Sequence, residues 1–306
     1  MRTGLLGYPI AHSLSPCMHN AAYEALGFDW EYGLYACEDV AAFNATVAAA
    51  ATDPEFIGFN VTMPYKRDAF AVSDELSAAA RATGGVNVLT FERKGRSTTQ
   101  PSATCATRIA GTSTDGAGIV RSLERDGDVD IAAARVLICG TGPTAAAALV
   151  ALAEVPAASI AVLSRDVRRA QALIDAAGAP LAEAAGSVWA AGYDEAPGLL
   201  RDATVLVDAT SLGMRLGDPA VLPVELLGLQ HTVLDVVYGQ GQTALLRGAM
   251  AAGARAFDGL GMLVEQAALT IELWAQAQGR AVQAPRAVML QAARAALAER
   301  STGTQQ

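Results

Sequence analysis

Two side chains in this sequence stand where proton chemistry is possible. Gly58-Phe-Asn60-Val-Thr62-Met-Pro64-Tyr-Lys66 ends a short apolar run with polar groups and then places a lysine. Of the 22 basic residues only Lys66 and Lys94 are lysines. A replaceable surface cation would more often be arginine here, and only an ammonium sheds its proton near neutral pH when desolvated. Lys66 therefore reads as a titratable amine at a strand's carboxyl end, beside the Thr62 hydroxyl and the Asn60 amide. A solvated lysine opening the helix after Pro64 is the competing reading, and both stay open on this stretch alone. Asp115, in Gly111-Thr-Ser-Thr-Asp115-Gly-Ala-Gly118, stands just before helical spacing resumes at Ile119. On local grounds it is equally an N-cap or a functional carboxylate.

Other polar groups fall where a ligand can meet them. In His12-Ser13-Leu14-Ser15-Pro16, Pro16 suits a first helical turn and Ser15 its N-cap, whereas Ser13 has no such duty. Two hydroxyls beside a helix N-terminus also suit a polyol or carboxylate. His12 and His19 read as hydrogen-bonded boundary residues in preference to ligands. Asn87 begins a strand after the Gly84-Gly85 turn, where its amide serves a ligand or closes the turn.

These residues need a scaffold, and the pattern around them supplies one. Strands near 4–8 and 31–36, a helix near 39–51 and a helix near 74–82 alternate as in an α/β layer. Arg93 to Arg108 lacks periodicity and reads as an exposed loop. Arg135-Val-Leu-Ile-Cys139 is a buried strand leading into Gly140-Thr141-Gly142-Pro143-Thr144-Ala145 and an alanine-rich helix to about Glu154. This is G-x-G-x-x-A between strand and helix, the setting of a dinucleotide phosphate loop. The next strand, Ser159 to Leu163, ends in Ser164-Arg165-Asp166-Val167-Arg168-Arg169, where the adenosine ribose is read. Arg165, Arg168 and Arg169 favour the 2′-phosphate of NADP, while Asp166 pulls towards NAD. Strands near 204–209 and 232–237 extend a parallel sheet. A long helix follows Asp258-Gly259 to about Gln278, a last one runs from about Pro285 to Glu299, and the tail from 301 to 306 frays.

Bulk properties narrow the class. The 306 residues suffice for two domains, and 52% hydrophobic against 17% charged composition is that of a globular chain. A net charge of -9 argues against nucleic acid as partner. Scattered Cys17, Cys37, Cys105 and Cys139 support neither a disulfide framework nor a metal site. With no signal segment and no apolar run long enough for a membrane, the expectation is a cytoplasmic protein.

Taken together, the motifs resemble the shikimate dehydrogenase family, including its quinate-using and shikimate-dehydrogenase-like branches. The carriers are Pro9-Ile-Ala-His12-Ser13-Leu-Ser15-Pro-Cys-Met-His19-Asn20, Asn60-Val-Thr62-Met-Pro64-Tyr-Lys66, Thr114-Asp115-Gly116, Ala209-Thr-Ser-Leu-Gly213-Met214, Asp235-Val-Val-Tyr238 and Asp258-Gly259-Leu-Gly261-Met-Leu-Val-Glu-Gln266. The resemblance runs from Gly4 to about Trp274. It implies an N-terminal α/β substrate domain (1–114 with 259–306) and a Rossmann-type, doubly wound dinucleotide-binding domain (115–258), with the site in the cleft between them.

By matching positions, Lys66 and Asp115 resemble the catalytic pair. Ser13, Ser15, Thr62, Asn87, Asp115, Tyr238 and Gln266 resemble contacts to the cyclohexene carboxylate and hydroxyls. Gly140, Thr141, Gly142, Pro143, Thr144, Ser164, Arg165, Arg168, Arg169, Val236 and Gly259 fall at cofactor positions. The resemblance implies reversible, NADP-dependent reduction of 3-dehydroshikimate to shikimate in aromatic amino acid biosynthesis, with NAD as the other cofactor and no metal. The chain departs from the family at Pro143-Thr144, Ser164, Asp166 and Ser113, and its 93–108 loop is longer. Alternatives are a quinate or amino-shikimate dehydrogenase using NAD, and a non-catalytic sensor on the same fold; a folate-type dehydrogenase lacks support from Ser13-Leu-Ser15. The expected partner is a small molecule, in a monomer or homodimer.

Overall fold

The computed structural model describes residues 1–93, 107–155, 157–178, 181 and 187–303, with the side chains of 301–303 excepted. Most of the expected 93–108 loop, from 94 to 106, lies outside the described residues, as does the tail from 304 to 306. Arg93, Thr107 and Arg108, assigned above to that loop, belong to strands.

The chain forms two compact units, Met1–Thr114 with Ala267–Gln306, and Asp115–Gln266. The first contains β1 (Arg2–Gly7), α1 (Ser15–Leu26), β2 (Glu31–Ala36), α2 (Val40–Thr52), β3 (Phe56–Val61), α3 (Lys66–Val72), β4 (Glu75–Leu76), α4 (Ala78–Thr83), β5 (Val88–Arg93) and β6 (Thr107–Thr112). Its sheet runs β2-β1-β3-β5-β6-β4. β1 lies parallel to β2 and β3, whereas β5 is antiparallel to both β3 and β6. Every residue of β3 is buried, which is why Phe56-Ile-Gly-Phe-Asn-Val reads as a nearly unbroken apolar run: a central strand covered on both faces has no solvent side to mark.

The expected helix over 74–82 is interrupted. Asp74 Oδ2 accepts the Ile109 N–H at 2.8 Å, and Glu75-Leu76 pairs with Ala110-Gly111 as β4. Ser77 then caps the shorter α4 by accepting the Ala80 N–H. The local cap and a strand partner outweigh the helical propensity of the alanines that follow.

The second unit contains α5 (Asp115–Arg125), β7 (Arg135–Cys139), α6 (Pro143–Glu154), β8 (Ser159–Ser164), α7 (Val167–Ala177), β9 (Ser187–Gly192), β10 (Val205–Asp208), β11 (Thr232–Asp235) and β12 (Arg255–Asp258). Its sheet is wholly parallel in the order β12-β11-β10-β7-β8-β9. Read from the other edge, this is the 3-2-1-4-5-6 order of the doubly wound dinucleotide fold. The edge strands β9 and β12 were not anticipated above.

The helix Leu260–Ala277 passes through the second boundary between the units, at Gln266/Ala267, whereas the resemblance implied a crossing at 258/259. Within the first unit, its Trp274 is completely buried and donates its indole N–H to the Leu89 carbonyl at 3.2 Å, against β3 and β5. Trp274→Ala should destabilise the first unit by about 3–5 kcal/mol, the usual cost of emptying a large aromatic site. Urea unfolding followed by circular dichroism would show this, and a cost under about 1 kcal/mol would contradict the assigned packing.

Candidate active site

In the first unit the expected ligand residues gather at the carboxyl ends of β1 and β3. The loops leaving these strands are tied together by Tyr8 N–H to the Met63 carbonyl (3.2 Å) and Thr62 N–H to the Leu6 carbonyl (2.9 Å). Tyr8-Pro9 and Met63-Pro64 are both cis peptides. Ser13 and Ser15 exchange the roles read from sequence. Leu14 occupies the N-cap position, and Ser15 is already the first residue of α1. Ser13 Oγ accepts the Ser15 N–H at 3.1 Å, so Ser13 holds the turn. The cause is geometric: Leu14 is itself helical in φ and ψ, leaving its neighbour inside the first turn. His12 is exposed, whereas His19 is fully buried in the body of α1. Burial drives the His19 imidazole pKa down to about 3, so it is neutral.

Lys66 is half-buried as the first residue of α3. Two anchors hold it. Tyr65 beside it is buried, donates its hydroxyl to the Cys37 carbonyl at 2.7 Å and stacks on Phe43. The Lys66 carbonyl accepts the Val86 N–H at 2.9 Å, tying it to the turn before β5.

Asn60, read as an amide neighbouring the lysine, is 5% exposed and committed to buried partners. Its Oδ1 accepts from Tyr32, and its Nδ2 donates to the Asn87 carbonyl and to Thr270 Oγ1. Asn87 precedes β5, which begins at Val88. Its side chain grips Thr114 twice: Oδ1 accepts the Thr114 N–H at 2.8 Å, and Nδ2 donates to Thr114 Oγ1 at 3.0 Å.

In the second unit, Asp115 is half-buried and is itself the first residue of α5. Gly140 has φ +109°, a conformation that side chains resist, and its N–H bonds the Leu163 carbonyl at 3.0 Å. Gly142 is the N-cap of α6, Pro143 fills the first turn where its missing N–H costs nothing, and Ala145 is fully buried. With Thr141 and Thr144 half-buried alongside, this is a strand-loop-helix cradle whose helix N-terminus suits a pyrophosphate. At the end of β8, Ser164 Oγ accepts the Asp166 N–H at 3.3 Å. Asp166 caps α7 through the Arg168 N–H and holds the Arg168 guanidinium by two bonds of 3.0 and 3.1 Å. The hydrogen bond from Arg168 holds the Asp166 carboxyl below its usual range. Arg165 and Arg169 stand exposed on either side.

Val236 and Gly259, far apart in sequence, are in contact. A Cβ at residue 259 would lie 2.7 Å from the Val236 carbonyl carbon, so only glycine fits there. Tyr238 follows β11 half-buried, and Gln266 donates its amide to the Leu263 carbonyl at 2.9 Å.

The described residues also reveal a row of acids that the motif reading left without a role. Asp208, Asp235 and Asp258 end three neighbouring parallel strands in register. Burial lifts the Asp208 carboxyl to about 6, against the pull of the Thr210 N–H and hydroxyl. Burial likewise raises Asp235, which accepts from Thr243 Oγ1 at 2.6 Å and from the Val237 N–H at 3.0 Å.

A mixed α/β unit joined to a 3-2-1-4-5-6 parallel sheet with a glycine phosphate loop defines a two-domain, dinucleotide-dependent dehydrogenase. Residues 5–89 match the model of the shikimate dehydrogenase substrate binding domain. The shikimate dehydrogenase (NADP(+)) of Methanopyrus kandleri is 36% identical over 273 residues, 89% of each chain. Shikimate 5-dehydrogenase of Thermus thermophilus, solved with NADP(H) and shikimate, superposes with a TM-score of 0.78 at 30% identity, covering 97% of this chain and 99% of that one. Quinate dehydrogenase of Corynebacterium glutamicum with NAD gives 0.80 at 26% identity, covering 95% and 98%. This chain belongs to the shikimate dehydrogenase family, as its motifs suggested.

The buried acids make a stability prediction. Asp208 rises from about 3.9 unfolded to about 6 folded, so between these values the native state binds more protons than the unfolded chain. Stability from this group is complete below about pH 4 and lost as pH climbs through about 6, on the order of 2–3 kcal/mol in all. Asp208→Asn should flatten that step and raise stability at pH 7.5 by a similar amount; urea titrations from pH 4 to 8 would check it, and an unchanged profile would place the carboxyl elsewhere.

Proposed function

We propose that this protein is an NADP-dependent shikimate dehydrogenase, catalysing reversible reduction of 3-dehydroshikimate to shikimate in aromatic amino acid biosynthesis. The observation that carries this reading is the near-full-length match to relatives named shikimate dehydrogenase (NADP(+)), in a chain that keeps Lys66, Asp115 and the Ser13-Leu-Ser15 stretch. NADPH, when bound, supplies hydride to the carbonyl carbon. As the C=O π bond opens, its electron pair moves to oxygen, and the Lys66 ammonium gives that oxygen a proton. In the oxidative direction the neutral amine takes the proton back. Asp115 orients the amine and accepts from a substrate hydroxyl. Ser13 and Ser15 meet the carboxylate, while Thr62, Asn87, Tyr238 and Gln266 contact the ring substituents.

The cofactor residues fit a dinucleotide: Gly140 to Thr144 form the pyrophosphate cradle, and Val236 and Gly259 give close backbone contact. Asp166 already spends both carboxylate oxygens on Arg168 and the α7 cap, so it competes less for a ribose hydroxyl. Arg165 and Arg169 remain for a 2′-phosphate, which supports NADP over NAD. The enzyme would act on a small soluble substrate in the cytoplasm; among the described residues no helix is long and apolar enough to cross a membrane.

Lys66→Ala should lower kcat by about 100- to 10,000-fold, the usual worth of general acid-base help, with the fold retained. Lys66→Arg should be similarly poor because a guanidinium keeps its proton. Absorbance at 340 nm with shikimate and NADP+ reads both, and a mutant with near-normal kcat would remove Lys66 from the mechanism. Replacing Arg165 with Ala should raise the KM for NADP+ by about 10-fold or more and leave that for NAD+ almost unmoved, because only the former carries a phosphate for charge-assisted bonding. Equal effects on the two cofactors would sink that assignment.

A further inference from the structure

The loop between β1 and α1, which carries Ser13, is held by two kinds of bond. Within it, the Ser13 N–H donates to the Ile10 carbonyl at 3.0 Å, and the Ser13 hydroxyl accepts the Ser15 N–H at 3.1 Å. In the second bond the hydroxyl spends a lone pair and keeps its proton, as a donor to a carboxylate must. Both bonds join close neighbours, so they shape the turn without fixing where it stands in the unit. Tyr8 anchors the start of the loop to the Met63 carbonyl, ahead of the turn itself. A further tie comes from the other end of the chain: Arg300 donates from Nη1 to the His12 carbonyl at 2.9 Å and, more weakly, from Nη2 to the Ser13 carbonyl at 3.5 Å.

Arg300 is delivered by the last helix, Arg286–Gly303. The start of that helix is pinned by Glu272, whose Oε1 accepts the Ala284 N–H at 3.1 Å and pairs with Arg286 at 3.2 Å. From there Met289, Ala293, Leu297 and Arg300 recur at helical spacing, which puts them on one face. Met289 and Ala293 are fully buried and the helix packs along α1, so the same face brings Arg300 to the loop that opens α1. A guanidinium suits the task, because its planar fork of donors meets two successive carbonyls that can only accept.

We propose that Arg300 is a positioning residue of the substrate site: it holds the His12-Ser13 backbone from the last helix and so sets the Ser13 hydroxyl where a carboxylate is met. This rests on the reading above that Ser13 and Ser15 bind the substrate carboxylate. Arg300 acts through the loop and not on the reacting atoms. The carboxylate is gripped alike in the ground and transition states, so loosening its serines weakens binding and spares the chemical step.

Arg300→Met tests this in the full-length protein, since it keeps an unbranched side chain on the helix and removes the donors. Arg300 is exposed near the end of that helix, so the effect is read on folded protein. Loss of the tie should raise KM for shikimate by about five- to tenfold, with kcat within about twofold and KM for NADP+ unchanged. Arg300→Lys should stay within about twofold of wild type, because an ammonium still donates to the His12 carbonyl. An unmoved KM in Arg300→Met, a fall in kcat in its place, or a lysine variant no better than the methionine one would overturn the proposal.

Amide hydrogen exchange without any ligand separates the tether from the functional reading and from a charge acting through space. The Ser13 and Ser15 amides should exchange faster in Arg300→Met and near wild-type rates in Arg300→Lys, while β3, β5 and β7 keep wild-type rates in both. A guanidinium that merely attracted an anionic substrate would leave this exchange unmoved, and that result would remove the tether. If wild-type protein failed to oxidise shikimate but the exchange pattern held, the functional reading would fall and the hold on the loop would stand.

Discussion

A side-chain amide buried between strands must have every polar atom answered, and this requirement at Asn60 organises the first unit. An unanswered buried donor or acceptor costs about 1–3 kcal/mol, as much as a large share of a domain's net stability. Asn60 meets it with Tyr32 from β2, the Asn87 carbonyl before β5 and Thr270 from the helix Leu260–Ala277. Three segments distant in sequence are thereby locked to one residue of β3. Asn87, held by its carbonyl, turns its own side chain to Thr114. The polar residues beneath the site are therefore structural first, and the ones above them inherit their positions.

This division explains what was legible in the sequence. The β7-α6-β8 segment was readable to within a residue because parallel strands covered on both faces are plain apolar runs, and the phosphate loop between them needs glycine at a backbone angle such as that of Gly140. The edge strands were not. β12 has no fully buried residue and β9 only two, so neither carries an unbroken run, and pairing with a distant neighbour defines them more than their own residues do. The Tyr32–Asn60 bond spans 28 positions and Asn60–Thr270 spans 210, distances over which no local pattern speaks. The serine pair shows a subtler limit. Pro16 signalled a helix start correctly, yet one residue decided which serine held the turn and which entered the helix, and boundaries are where propensity is least informative.

The second unit shows the opposite strategy at its strand ends. Asp208, Asp235 and Asp258 lie in register across β10, β11 and β12, and each turns a carboxylate oxygen back to a backbone N–H just beyond its own strand. These bonds give a sharp exit from each strand and hold the loops that follow. The cost is electrostatic, because burial pushes Asp208 and Asp235 upward, Asp235 adds to the rise of Asp208 and Asp258 to that of Asp235. Such repulsion persists only where the backbone bonds it secures are worth more.

Cofactor choice turns on a similar competition at α7. Asp166 is one residue doing two local jobs, capping the helix and pairing with Arg168, and both draw on the same two oxygens. A ribose 2′-hydroxyl seeking that carboxylate would have to displace a charge-assisted bond, whereas a 2′-phosphate needs only cations and finds Arg165 and Arg169 outside the pair. Arg168 is a weaker contributor, since freeing it exposes Asp166 to the same phosphate. The proposed preference for NADP thus rests on where the acid is tied down, and the count of arginines after the strand overstates the charge available by one.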